Sequence, residues 1–191
     1  MTVNVCGFRD TPKDKKVINT TSRSTTWSRG LSPFFCGPVD LYDIYVAQNV
    51  ENAWQYAKVY DKFVDVNQNP DESYFIWAQT GWNKKTADRY PMGKGAKPLY
   101  SYWDGKQLPY IEARKEIYAP LYSLAVEKTD AYTQLKELYE TGEEIWLWDF
   151  DGYDFRKKGM TYEEVLLNPK RKMGHAFVLA MMLEGQRVWK S

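Results

Sequence analysis

The twelve residues Asn49-Val50-Glu51-Asn52-Ala53-Trp54-Gln55-Tyr56-Ala57-Lys58-Val59-Tyr60 constrain this chain more than any other stretch. At helical spacing Val50, Ala53, Trp54 and Ala57 fall on one side, the pattern of a helix laid on a core. Asn49 suits the N-cap, because its side-chain oxygen can accept a free first-turn N–H. Glu51, Gln55 and Lys58 stand at i, i+4 and i+7 and line one edge with a carboxylate, an amide and an ammonium. Spacing alone reads that edge as a solvated polar face.

Around this helix the chain is punctuated into short pieces. Val3 and Val5 make a β-prone start, and the polar run ending Asp14-Lys15-Lys16 reads as a flexible N-terminal arm over residues 1–15. The β-branched run Val17 to Thr21 predicts a short strand, followed by a Ser/Thr/Gly-rich loop to Ser32. Pro33, Gly37 and Pro38 impose a fixed irregular loop, and Leu41 to Val46 predicts another strand. Asn69-Pro70-Asp71-Glu72 predicts a helix start, with Asn69 as cap, Pro70 first in the helix and Gly81 at its end.

Trp82 to Trp103 reads as loop. Tyr110 to Tyr118 predicts a helix that Pro120 breaks or kinks, and helix continues to Tyr139 and stops at Gly142. Glu143 to Phe150 alternates as a strand does. Thr161 and Glu164 have capping-box spacing, and Asn168-Pro169 predicts the start of a last helix through Met182. The sum is a mainly α (α+β) chain: one multihelical domain over residues 1–191 with a few short strands.

Several function classes drop out. A formal charge of +1 does not provide a broad electrostatic grip on nucleic acid, although Lys84, Lys85, Arg89, Lys94 and Lys97 cluster locally and Lys170-Arg171-Lys172 form a second run. Cys6 and Cys36 lack metal-ligand spacing, and the single His175, set among Ala176, Phe177 and Val178, reads as a packing histidine. Gly93-Lys94-Gly95 is not a phosphate-binding loop of the Walker type. No metal and no cofactor are expected. With neither a secretory signal pattern nor a membrane-length apolar run, the expected setting is cytoplasmic.

Carboxylates among aromatic rings remain. Glu51 lies on the opening helix, and Asp149, Asp151 and Asp154 follow an apolar strand in Trp148-Asp149-Phe150-Asp151-Gly152-Tyr153-Asp154. A carboxylate can stabilise a sugar oxocarbenium ion or activate water against it, and a Trp or Tyr can hold a base by its π-face. Aromatic residues make up 16% of the chain, ample for both a core and a stacking site.

Ser32-Pro33-Phe34, then Pro38-Val39, then Val50 to Lys58 together resemble the NADAR (YbiA-like) superfamily, in which an S-N-F loop precedes a helix of the form V-E-H-x-x-Q-x-x-K. Leu138-Tyr139-Glu140-Thr141-Gly142 is similar to its L-x-x-T-G turn, and Met173 to Leu179 to its closing helix. Asn52 stands at the family's His and Pro33 at its Asn, and Asp149-Phe150-Asp151-Gly152 replaces its late D-x-x-W-G. The resemblance implies a YbiA-like domain and cleavage of N-glycosidic bonds. Family members remove ADP-ribose from guanine bases, or cleave a ribosylamine phosphate intermediate of riboflavin synthesis.

By the same resemblance the functional acid maps to Glu51, the helix lysine to Lys58, a tryptophan to Trp103 and the late acid to Asp149 or Asp151. The chemistry adds Gln55 or Asn52 for the edge of a base, and Arg23 with Lys58 for a phosphate. Ser32 and Phe34 supply a pocket wall, and Trp148 stands beside the late acids. The expected partner is an ADP-ribosylated or ribosylated nucleobase, free or within DNA. A non-catalytic module that binds nucleotide or ADP-ribose is the reading from another class.

Overall fold

A computed structural model describes residues 1–191 and begins with a strand where an arm was expected. In chain order the elements are β1 (Val3–Cys6), β2 (Val17–Asn19), β3 (Val39–Leu41), β4 (Tyr45–Ala47), α1 (Val50–Gln55), β5 (Lys58–Val59), α2 (Glu72–Trp82) and β6 (Tyr100–Trp103). There follow β7 (Lys106–Leu108), α3 (Tyr110–Ala113), α4 (Ala119–Val126), α5 (Asp130–Glu140), β8 (Ile145–Trp148), α6 (Tyr162–Leu167) and α7 (His175–Leu183).

The expectation of a mainly α, multihelical domain is overturned. Helix accounts for 37% of the residues and strand for 15%, in three small sheets, which makes a mixed α+β fold. The reason is local. The apolar stripe from Val50 continues to Ala57, but the helix stops at Gln55, and Lys58 and Val59 pair antiparallel with Ser101 and Tyr100 of β6. Tertiary pairing has outweighed helical periodicity here.

β8 forms the centre of the fold. It lies between β1 and β2 and runs parallel to both, with Val5 opposite Leu147 and Ile18 also opposite Leu147. Every residue of β1 is buried, so residues 3–6 belong to the core and the predicted arm does not include them. Ile145 and Leu147 face inward against α7, whose nine residues are all buried. Truncating Leu147 or Phe177 to alanine in this packing costs about 2–5 kcal/mol.

Three helix boundaries also differ from those predicted. The N-cap of α2 is Asp71, not Asn69, and accepts from the Tyr74 N–H. Gly81 lies inside α2, where a Cβ would overlap the Tyr56 ring. The last helix begins at His175 rather than at Pro169. The predicted capping box at Thr161 and Glu164 is present, as is the Asn49 cap of α1. No helix is long and apolar enough to cross a membrane.

The candidate site at the strand ends

In open parallel sheets, ligands bind beyond the carboxyl ends of the strands, where the chain leaves the sheet. Here β8 releases Asp149, Phe150 and Asp151 at that end, and β2 releases Thr20 to Arg23 beside them. A cavity of about 460 Å³ opens there, within the range of small-molecule sites. Its other walls are the first turns of α1, the Ser32–Phe34 loop, the Arg89–Ala96 segment and the residues leading into α7.

Glu51 enters this cavity from the N-terminal turn of α1. The Asn49 side chain accepts from the Asn52 N–H at 2.8 Å, and the Val50 and Glu51 N–H groups bond to the Cys36 and Pro33 carbonyls. Glu51 is 7% exposed. Its Oε1 accepts from Gln55 Nε2 at 3.0 Å, and Gln55 Oε1 accepts from Lys58 Nζ at 3.0 Å. The three residues predicted to share an edge are therefore linked in one chain, although Lys58 stands on β5. Glu51 Oε2 carries no hydrogen bond. Each end of the Gln55 amide makes one bond, and through them it orients Glu51.

Burial pushes the Glu51 carboxyl above the usual carboxylate range, against the pull of Gln55, Lys58, Arg89 and His175. Burial lowers the Lys58 ammonium to about 8, with Lys172 adding to the effect and Glu51 opposing it. Burial thus disfavours the charged form of both groups, and each opposes that effect on the other.

Asp149 is 3% exposed and occupied. Its Oδ2 accepts from the Ala176 N–H at 3.1 Å and lies 3.2 Å from His175 Nδ1, so it caps α7 and holds the ring. His175 Nε2 reaches the Thr20 carbonyl at 2.8 Å and its hydroxyl at 2.9 Å, while that hydroxyl bonds to the Trp148 carbonyl. Gly174 lies so close that a Cβ would overlap the Asp149 carboxylate. His175 is buried and packs edge-on against Tyr122, in keeping with a packing residue, and it also forms a polar link between β2 and the start of α7.

Asp151 is less constrained. Burial and then Asp149 raise its carboxyl, against Lys172, Arg89 and His175, and Arg89 Nη2 lies 3.8 Å from its Oδ2. The guanidinium groups of Arg23 and Arg89 sit over the Phe150 ring at 5.3 and 5.2 Å. Arg114 is buried and donates to the carbonyls of Leu166 and Asn168 at 3.0 and 2.9 Å, which fixes the turn before Lys172. Pro120 has no N–H to continue the helix, and Arg114–Tyr118 widen into a π-turn that sets both Arg114 and Tyr118 at the cavity.

Of the predicted site residues, Glu51, Asp149, Asp151, Arg23, Ser32, Phe34, Gln55 and Lys58 line the cavity, and three do not. Asn52 is fully buried behind it, donating to the Lys84 and Thr86 carbonyls and accepting from the Asp88 N–H. Trp103 packs edge-on against Tyr42 in a separate aromatic cluster. Trp148 packs against Phe8 and Phe150 and donates to Thr11. Sequence reasoning passed over Arg89, Trp54 and Tyr118. Arg89 was one of five clustered cations with nothing to single it out. Trp54 read as core because it shares the apolar stripe, yet it packs on Tyr118 with the Lys58 ammonium over its ring.

No curated protein matches the chain. A model of a family of unknown function, DUF6939, matches residues 6–158, a span that includes Glu51, Arg89 and the Asp149–Asp151 turn; the chain belongs to this family.

Proposed function

We propose that this protein is an N-glycosidase that hydrolyses the bond between a nucleobase and ribose, with guanine bearing ADP-ribose as its leading substrate. The observation that carries the reading is Glu51, a buried carboxylate in a nucleotide-sized cavity, with one oxygen held by Gln55 and the other without a partner. Loss of a base leaves positive charge on the sugar, and Glu51 is placed to stabilise that charge and to take the proton of an attacking water. Trp54 and Tyr118 line the cavity as an aromatic wall against which a base can pack, and Arg23 and Arg89 offer donors for phosphate. The resemblance of Val50 to Lys58 to the NADAR (YbiA-like) helix supports the same chemistry.

The test is incubation with guanine-ADP-ribosylated DNA followed by mass analysis for ADP-ribose. Release is expected from the intact protein and not from Glu51→Gln. No release by the intact protein rejects this substrate, and tight ADP-ribose binding without turnover on any ribosylated base makes the protein a binding module. The cavity volume favours one second reading, the same hydrolysis on a free ribosylamine phosphate of the riboflavin route, since a site of this size encloses a mononucleotide.

A further inference from the structure

The Arg89–Asp151 pair is poised rather than closed. At 3.8 Å it is too long for a hydrogen bond and leaves donors on one side and lone pairs on the other unspent. Arg23 has no carboxylate partner, and its guanidinium shares the Phe150 ring with Arg89. Both arginines and Phe150 line the one cavity, so two cations face a space that an anion can enter.

The segment that carries Arg89 is fixed at its root and free at its tip. Asn52 bonds to the backbone of Lys84, Thr86 and Asp88, and the Tyr56 hydroxyl donates to the Asp88 carboxylate. Beyond Arg89, Gly93 and Gly95 take positive φ with open space where a Cβ would stand. The Arg89 side chain is partly exposed and makes no hydrogen bond, so it can change partner while Asn52 holds the loop.

We propose that Arg89 is a switch shared between Asp151 and the substrate: a diphosphate entering the cavity that Arg23 and Arg89 line draws Arg89 away from Asp151, which then takes a proton from solvent and becomes the acid that protonates the departing base. This rests on the N-glycosidase reading and deepens it by making a phosphorylated substrate the trigger of its own cleavage. The groups that face Asp151 are Asp149, Arg89, Lys172, His175 and Tyr118. Arg89, Lys172 and His175 favour the carboxylate, and Asp149 with burial favours the acid, so removing Arg89 and adding a diphosphate both move Asp151 towards protonation.

The step balances. As the C1′–N bond breaks, its electron pair goes to the base nitrogen, which receives the Asp151 proton. Water adds to C1′, and its proton goes to Glu51. Solvent then restores both carboxyl groups.

The test is calorimetry of ADP-ribose binding to the full chain at mildly acidic pH, in buffers of different ionisation enthalpy. The diphosphate of ADP-ribose does not titrate near neutrality, so proton uptake belongs to the protein. The intact protein is expected to take up about half a proton or more on binding. Asp151→Asn should bind without uptake, and Arg89→Gln should lose the uptake and bind about 10- to 100-fold more weakly. Base release together with proton-neutral ADP-ribose binding overturns the switch alone, as does undiminished uptake by Asp151→Asn. Failure of ADP-ribose to bind removes the trigger and overturns it too. No base release from any ribosylated substrate overturns the underlying reading, and the acid role of Asp151 with it.

Discussion

Replacing Glu51 with glutamine separates function from architecture at this site. The side chains have the same shape, and the new amide oxygen can still accept from Gln55 Nε2, now 3.0 Å from Glu51 Oε1. The negative charge disappears. A carboxylate about 4 Å from a full positive charge on the sugar, at an effective dielectric of about 20, is worth about 4 kcal/mol. That corresponds to a fall in kcat of about a thousandfold. Stability should move the other way, because the charge sits in a buried place that disfavours it. Relief of such a functional strain typically gives about 0.5–2 kcal/mol. For a chain of this length each kcal/mol raises Tm by about 2–4 °C. Base release measured by mass and thermal unfolding followed by circular dichroism read the two effects independently. Activity within about threefold of the parent, far below the roughly 100- to 10,000-fold contribution of general acid–base catalysis, would refute a catalytic Glu51. A lower Tm with equal loss of activity would make the residue structural.

The remaining expectations concern its neighbours. The pH profile of kcat/KM should be bell-shaped: activity is lost on the acid side as Glu51 protonates above the usual carboxylate range, and on the basic side first as Asp151 loses the proton it must donate and then, near 8, as Lys58 deprotonates and loosens its hold on Gln55. A profile flat through that basic limb would remove the Lys58 charge from the mechanism. Asn52→Ala breaks the buried bonds to Lys84, Thr86 and Asp88 and should cost about 1–3 kcal/mol by chemical denaturation, with weaker ADP-ribose binding as Arg89 loses its support. Gly174→Ala should cost about 1–3 kcal/mol through overpacking, since its methyl displaces the Asp149 carboxylate from His175 and Ala176; an unchanged Tm would contradict that geometry.

Local signals in the chain held at two helix caps and one strand, and failed at Asn69-Pro70 and Asn168-Pro169, where the helices start later. Asn49 and Thr161 cap helices because a side-chain oxygen two or three residues ahead of a free N–H finds it under almost any tertiary arrangement. The alternation of Glu143 to Phe150 reflects a real strand. The spacing of Glu51, Gln55 and Lys58 placed three polar groups together, and they do meet. What failed were decisions between competing local solutions. Ala57 to Tyr60 are compatible with helix or strand, and only the neighbouring Tyr100 and Ser101 select the strand.

The sequence alone determined that this chain contains short capped helices, a late aromatic strand ending in acids, and a helix presenting Glu51. Tertiary structure decided the rest. Spacing alone made the Glu51 edge a solvated face, the Ser32–Phe34 loop and the late acids favoured a pocket wall, and burial makes it one, because Pro33, Tyr118 and the residues leading into α7 close over it. Charge and hydrogen-bond capacity then distinguished acids that look alike in the chain: Asp149 is spent on His175 and a helix start, while Asp151 faces a half-free arginine. Sequence spacing reports which groups a segment carries. Whether water, a backbone N–H or a cation from sixty residues away satisfies them depends on contacts that exist only once the chain has folded.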